Sequence, residues 1–296
     1  MSKFLDSTLA VTGASGHLGR RTVELLLEAG AKRVVAVTRD PARLADLKQR
    51  GVDVRAGSFD DAPSLPAAFA GVDRLLIVST DGLAEPGFRT RQHVRAIEAA
   101  LQAGVGHLVY TSLTSPYPDP ASLVADSHFW TEVRLVTSDI GWSILRNNQY
   151  ADYLIPGAQH AIASGTLFHA AGTGRRAYVT REDCAAAAAH ALLGAEGQRI
   201  FDVGGPEALS GDDLAAIYTR LSGKPVEAIA VSGDAYRGGL LKSGIPAPMA
   251  DILTRFDTDA ARGYLGIVGN GVETLTGRSP QSVESFLTGN RAALAA

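Results

Sequence analysis

The sequence predicts an α/β fold: a doubly wound parallel sheet with a smaller C-terminal α/β portion interleaved with it. Three observations carry this. Glycine recurs every third residue at Gly13, Gly16 and Gly19, between an apolar run (Leu9, Ala10, Val11) and an apolar-periodic segment (Leu18, Val23, Leu26, Leu27). Strand-like and helix-like segments then alternate across the first half of the chain, the pattern of parallel strands joined by helical crossovers. From Gln149 onward the composition shifts to helices joined by brief β runs, with no Pro/Ser-rich tether between the halves. Residues 1–148 are expected to form the larger domain. Residues 149–296 are expected to form most of the smaller one, with some segments returning to the sheet.

The first element reads as strand, tight turn, helix. Gly13 allows the sharp exit from the strand, Gly16 lets backbone approach a pyrophosphate, and Gly19 lets helix pack closely on strand. The phosphates would sit on the free amides of Gly13, Ala14, Ser15, Gly16, His17, Leu18 and Gly19 at the helix start. The spacing is G-x-x-G-x-x-G rather than G-x-G-x-x-G, so the flanking strand and helix carry the assignment.

Arg33 to Val37 reads as the second strand, ending in Thr38, Arg39 and Asp40. An acidic side chain here accepts from the ribose 2′-hydroxyl of NAD, whereas arginine pairs with the 2′-phosphate of NADP. Arg39, with Arg43 one helical turn later, favours NADP(H). If the Asp40 carboxylate faced the ribose instead, NAD(H) would become possible.

A helix is expected from Ala42 to Arg50 and a strand from Val52 to Ala56. Beyond it, Asp60 could meet an adenine amine, or Asp61 could cap the next short helix. Arg74 to Val78 is nearly all apolar, as a strand covered on both faces should be. Its end, Val78, Ser79 and Thr80, would put two hydroxyls beside the cofactor ribose. Arg89 to Ala103 reads as an amphipathic helix with Val94, Ile97 and Leu101 inward and Arg89, Arg91 and Arg95 in solvent. Strands follow at His107 to Thr111 and Trp142 to Leu145.

In the second half, helices are expected over Tyr150 to Ala163, Glu182 to Leu193 and Asp212 to Ser222, and strands over Ile200 to Val203 and Val226 to Val231. Thr180 with Asp183, and Ser210 with Asp213, have N-cap spacing. Glycine and proline from Gly238 to Pro248 suggest a loop able to close over a pocket.

A formal net charge of −3 and a pI near 6.2 leave no basic footprint for nucleic acid. The N-terminus lacks a signal-peptide pattern and no apolar run is long enough to cross a bilayer, so a cytoplasmic protein is expected. Cys184 is the only cysteine. It excludes an internal disulfide and a multi-cysteine metal site, and its alanine-rich surroundings suggest a buried helix residue. No His/Glu cluster has metal-ligand spacing.

The segments TGASGHLG, TRDPARL, LLIVST, LVYTSL, ADSHFWTE, ILRNNQY and RRAYVTREDCAAAAA, in this order, resemble the NmrA-like, atypical branch of the short-chain dehydrogenase/reductases. They are most similar to type-2 NAD(P)H:quinone oxidoreductases and triphenylmethane reductases, over essentially the whole chain. The resemblance implies a Rossmann domain holding NADPH, with a quinone or other small flat aromatic substrate against the nicotinamide. It places the Gly13–Gly19 turn on the diphosphate, Arg39 on the 2′-phosphate, and Ser79, Thr80 and Asn147 around the nicotinamide ribose. It turns His128 and Tyr150 toward the substrate as the candidate catalytic residues.

Two departures bear on the chemistry. None of the eight tyrosines is followed four residues later by lysine, so the usual Tyr-x-x-x-Lys proton relay is missing. The position that is lysine in related quinone reductases is Val133, and Arg134 beside it points about 100° away on a helix. Quinones and cationic dyes need a protein acid less than ketones do. His128 could donate to a quinone oxygen or pack as a neutral helix residue, and Ser112 is expected to be structural or a modest hydrogen-bond donor. A non-enzymatic NAD(P) sensor, as some NmrA-like proteins are, is the alternative reading.

Overall fold

A computed structural model of the chain describes residues 3–83 and 85–294. Its elements are β1 (Thr8–Val11), α1 (His17–Glu28), β2 (Arg33–Thr38), α2 (Ala45–Gln49), β3 (Asp53–Ala56), α3 (Leu65–Phe69), β4 (Arg74–Ile77), α4 (Phe88–Gln102), β5 (His107–Leu113), α5 (Leu123–Val136) and β6 (Gly141–Asn147). There follow α6 (Leu154–Ser164), β7 (Thr166–His169), α7 (Arg181–Gly194), β8 (Gln198–Val203), α8 (Gly211–Ser222), β9 (Glu227–Ala230), α9 (Gly233–Lys242), α10 (Ala247–Ala261), α11 (Gly271–Thr276), α12 (Val283–Gly289) and α13 (Arg291–Leu294).

The chain divides into two compact units. The first comprises the chain up to Arg146 with Arg181–Phe201 and Gly271–Arg278. It holds a mostly parallel seven-stranded sheet in the order β3-β2-β1-β4-β5-β6-β8. Chain order reverses beside β1: β2 lies on one side and β4 on the other, which opens a crevice at the carboxyl ends of these strands. β1 and β4 are buried because helices cover both faces, and the core joins Ala10, Val35, Leu75, Ile77, Ile97 and Tyr110. Arg74, buried in β4, donates to the carbonyls of Ala191, Leu192 and Ala195 and so satisfies the carboxyl end of α7.

The second unit comprises Asn147–Thr180, Asp202–Asn270 and the chain from Ser279. The parallel pair β7-β9 packs with α6, α8 and α12 around Ile162, Tyr178, Ile217 and Leu287. The Ser210–Asp213 spacing is realised as a full capping box at the start of α8.

Three local expectations change. The segment from Ala42 to Arg50 is not one helix: Asp40 and Pro41 start a 3-10 turn over Pro41–Leu44, the non-helical backbone of the buried Leu44 (φ −118°, ψ 23°) ends it, and α2 begins only at Ala45. The helix expected from Tyr150 starts as a 3-10 turn over Ala151–Tyr153, because Pro156 can be accommodated only in the first turn of α6. The stretch Gly238–Pro248 is mostly helical. Ser232 accepts from the Ala235 amide and launches α9 through both glycines, while Pro248 sits in the first turn of α10, leaving 243–246 as the link.

Candidate cofactor site

The first unit gathers the glycine turn and the ends of β2, β3 and β4 at one edge of the sheet. Gly13 has a φ of +59°, which only glycine adopts without strain. A Cβ on Gly19 would lie 2.4 Å from the Gly13 carbonyl oxygen, so α1 can approach β1 only without that methyl group. Gly16 is the N-cap of α1 and has no side chain to satisfy the amides of His17, Leu18 and Gly19, and no acidic residue occupies the first turn. Those amides are left for a ligand, at the positive end of the helix dipole.

Neighbouring loops brace the turn. The Ala14 amide donates to the Val37 carbonyl (3.2 Å), and the Thr38 hydroxyl donates to Ser15 Oγ (3.0 Å). Thr12 Oγ1 accepts from the Val78 amide (3.0 Å) and donates to the Leu76 carbonyl (3.1 Å). The backbone of the glycine turn is thus held on both sides of the point where strand order reverses, and the Ala14 and Gly16 amides, expected to be free, are spent on the Val37 and Gly13 carbonyls.

At the end of β2, the competition between Arg39 and Asp40 has a geometric answer. Asp40 Oδ1 accepts from the Ala42 amide at 3.1 Å, capping the 3-10 turn. Arg39 and Arg43 are exposed, and neither makes an ion pair among the described residues. The acidic group is committed to backbone while two guanidinium groups remain open to an anion. These features fit a 2′-phosphorylated dinucleotide.

Asp60 accepts from Gln92 Nε2 (2.8 Å), and Asp61 makes no side-chain cap. Asp60 is therefore tied to α4. Gln92 in turn accepts from the Thr80 hydroxyl (2.6 Å). The Ser79 amide donates to Thr111 Oγ1 (2.9 Å), which donates back to Ser79 Oγ (3.2 Å). Of the two hydroxyls at the end of β4, the Thr80 proton is already used and the Ser79 proton is free to be offered.

α4 is not the helix its hydropathy suggests. Val94 and Leu101 are only half-buried, and Arg89, Gln92 and His93 are buried alongside Ala96, Ile97 and Ala100. Arg89, expected in solvent, is 7% exposed. Its guanidinium donates to the Thr80 carbonyl (2.6 Å), to Ser127 Oγ (2.8 Å) and to His128 Nε2 (3.0 Å). Because arginine can only donate, His128 Nε2 must accept and the ring proton lies on Nδ1, which donates to Tyr110 Oη (2.8 Å). Burial, reinforced by Arg89 and His93, holds His128 well below the usual histidine range, so it is neutral.

His93 has the same character. Its Nε2 accepts from the Thr80 amide (3.0 Å), and Nδ1 donates to Thr131 Oγ1 (3.0 Å), whose own proton goes to the Ser127 carbonyl (2.6 Å). Burial and then Arg89 keep it neutral. Burial also pushes the Tyr110 phenol up, so it stays protonated. Both ring nitrogens of His128 thus face protein partners, and the ring has no free donor in this arrangement.

Ser112 donates to Glu132 Oε1 (2.6 Å), and Glu132 is gripped by Arg146 through Nε (3.1 Å) and Nη2 (2.7 Å). This ties β5, α5 and β6 together. Arg134 pairs with Glu98, Val133 is surface-exposed, and Trp130 is 47% exposed with Phe129 against its edge.

In the second unit, Asn147 is 3% exposed with Nδ2 3.5 Å from Tyr150 Oη, and Oδ1 has no partner among the described residues. An unsatisfied buried acceptor of this kind marks a place for a donor. Tyr150 and Tyr153 form a tilted ring pair 5.9 Å apart. Cys184 is fully buried in α7. Among the described residues no cluster of His, Cys, Asp or Glu is placed to hold a metal, and no helix is long and apolar enough to cross a membrane.

Residues 13–194 match the family model described as NAD(P)H-binding. Quinone oxidoreductase 2 of Escherichia coli is 37% identical over 260 residues, 87% of this chain and 89% of that protein. The chain belongs to the NAD(P)H-binding, NmrA-like family. The crystal structure of the E. coli NADPH-dependent quinone oxidoreductase with NADPH superposes with a TM-score of 0.87 at 33% identity, covering 97% of this chain and 99% of that one. The Citrobacter sp. triphenylmethane reductase complexed with NADP(H) gives a TM-score of 0.87 at 30% identity, covering 96% and 99%.

The residues that sequence reasoning missed are Arg89, Gln92, His93 and Tyr110. A signal existed: Arg89, His93 and Ile97 fall at i, i+4 and i+8, so two polar residues share the stripe whose apolar member is buried.

Proposed function

We propose that this protein is an NADPH-dependent reductase that passes hydride to a quinone or a similar planar aromatic acceptor in the cytosol. The observation that carries the cofactor choice is the end of β2, where Asp40 is spent on a backbone amide and Arg39 stands open. The kinship with quinone and triphenylmethane reductases supports the acceptor class.

Bound NADPH would supply the hydride. The protein's part is to hold and orient it. The amides at the start of α1 take the diphosphate, Arg39 and Arg43 take the 2′-phosphate, Ser79 offers its hydroxyl to the nicotinamide ribose, and Asp60 keeps its second carboxylate oxygen for the adenine amine. In the second unit Asn147 keeps an unsatisfied buried acceptor, Oδ1, near Tyr150. We assign His128 to positioning rather than proton donation, since Arg89 and Tyr110 occupy both of its nitrogens.

No Tyr-x-x-x-Lys relay is present, and a positioned general acid is typically worth about 10²- to 10⁴-fold. A quinone needs less of this help, because the aromatic hydroquinone anion delocalises the arriving charge. A cationic dye needs no proton at carbon. Acceptors of these kinds suit the residues present, with orientation supplying most of the acceleration.

The exposed Val133, where related quinone reductases carry lysine, favours a second reading as an NAD(P) sensor. One experiment separates the two. NADPH and NADH oxidation is followed with two benzoquinones, a naphthoquinone and a triphenylmethane dye. Turnover with NADPH in preference to NADH supports the reductase, whereas tight binding of NADPH without oxidation by any acceptor supports the sensor.

A further inference from the structure

Thr80 is held by three residues of one helix face. Its amide donates to His93 (3.0 Å), its carbonyl accepts from Arg89 (2.6 Å) and its hydroxyl donates to Gln92 (2.6 Å). Residues 89, 92 and 93 stand at i, i+3 and i+4 on α4, so a single helical turn grips every polar group of one residue. Gln92 extends the grip to Asp60 on the far side of the crevice.

Such a face is costly. A buried guanidinium, a carboxamide and a buried neutral imidazole must be desolvated, where apolar residues would fill the same helix stripe without that penalty. Their common product is the fixed position of Thr80, just beyond the last paired residue of β4.

The sheet order says what lies there. Arg39 follows β2 on one side of the glycine turn and Thr80 follows β4 on the other. A dinucleotide whose diphosphate rests on that turn and whose 2′-phosphate meets Arg39 must direct its other nucleoside toward β4.

We infer that Arg89, Gln92 and His93 form a positioning clamp, which through Thr80 fixes the nicotinamide end of the cofactor without touching it. This rests on the NADPH reading above. The clamp acts on orientation at the nicotinamide end, while Arg39 and the glycine turn hold the adenosine end independently of it.

The test uses Arg89→Met in the full chain, with two ligands. One is NADPH, whose nicotinamide fluorescence anisotropy reports immobilisation of the ring. The other is adenosine 2′,5′-bisphosphate, which carries the adenosine end and no nicotinamide. Expected are an unchanged affinity for the bisphosphate, a fall in nicotinamide anisotropy on the protein, and a 10- to 100-fold lower kcat, roughly the cost of a misplaced reacting group. Arg91→Met, an outward residue paired with Glu85, should change none of these.

Arg89→Lys, which keeps the charge but cannot reach three acceptors, should fall between wild type and Arg89→Met. His93→Leu, which frees the Thr80 amide and leaves Asp60 on Gln92, repeats the measurement without removing a charge if Arg89→Met does not fold. Parallel loss of affinity for both ligands, or unchanged anisotropy and kcat, overturns the clamp. If the wild-type protein oxidises no NADPH, the reductase reading fails, yet the anisotropy comparison still decides the clamp.

Discussion

Arg89 Nε donates to the Thr80 carbonyl at 2.6 Å, joining the first turn of α4 to the chain leaving β4. The bond turns a helix that hydropathy would place as a simple amphipathic cover into part of the site. It also explains why His128 is not available as an acid, because the same guanidinium fills one of its nitrogens. Measurable consequences follow from this and from the neighbouring turn.

The buried histidines make the fold acid-sensitive. His93 and His128 are held well below 6.5 by burial and Arg89, and His107 is brought to about 4 by burial and Arg74. Their folded values lie below the unfolded one, so this contribution is fully present above pH 6.5. As pH falls further, the unfolded chain takes up protons that the folded chain refuses. Stability should drop by about 1.4 kcal/mol per pH unit for each histidine, down to about pH 4 for His107. Urea unfolding at pH 7.5, 6 and 5 measures the slope, and His107→Gln should lower it by one proton.

Gly19→Ala should be poorly tolerated. The added methyl meets the Gly13 oxygen at 2.4 Å and the Ala14 Cα at 3.1 Å, both backbone, so α1 must shift away from β1. A loss of about 1–3 kcal/mol in unfolding free energy is expected for such overpacking. NADPH affinity should fall with it. Gly16→Ala, whose methyl would stand 3.3 Å from the Gly13 oxygen, should be milder.

Arg39→Ala should weaken NADPH binding and spare NADH. Charge-assisted hydrogen bonds of this kind contribute about 1.5–3 kcal/mol, or roughly 10- to 150-fold in Kd. Asp40→Ala should instead cost about 1 kcal/mol of stability through the lost cap and leave the NADPH preference in place. A gain in NADPH preference for Asp40→Ala would show that the carboxylate faces the ribose. Isothermal titration with both cofactors reads the two cases.

Glu132→Ala should act on stability, since it leaves the Ser112 hydroxyl and the Arg146 guanidinium without their shared acceptor. A cost of about 1–3 kcal/mol is expected for removing this buried acceptor, measured by urea unfolding.

The glycine turn and the strand ends were legible in the sequence because their signal is local: apolar run, spaced glycines, apolar period. The roles of Arg39 and Asp40 were not separable in the same way. Both are exposed, and which one is left without a backbone partner depends on whether the Ala42 amide captures the carboxylate, which follows from the turn Pro41 imposes. Arg89 was misplaced because a charge counts as surface in any hydropathy pattern, whatever its partners. Here the partners are Thr80, in the chain leaving β4, and Ser127 and His128 of α5, which lie 38 and 39 residues further on. Gly238 and Gly239 marked a loop by composition, yet the Ser232 cap and the flanking helix outweigh a glycine penalty of about 1 kcal/mol each.

The central claim is direct hydride transfer from NADPH to an aromatic acceptor. The measurement that tests it most directly uses NADPH deuterated at nicotinamide C4 with a triphenylmethane dye, and mass spectrometry of the colourless product. Deuterium on the central carbon of the reduced dye, from one face of the nicotinamide only, is the expected result. Saturable NADPH binding with no deuterium transferred to the dye, and no cofactor oxidised by any quinone, would contradict the account.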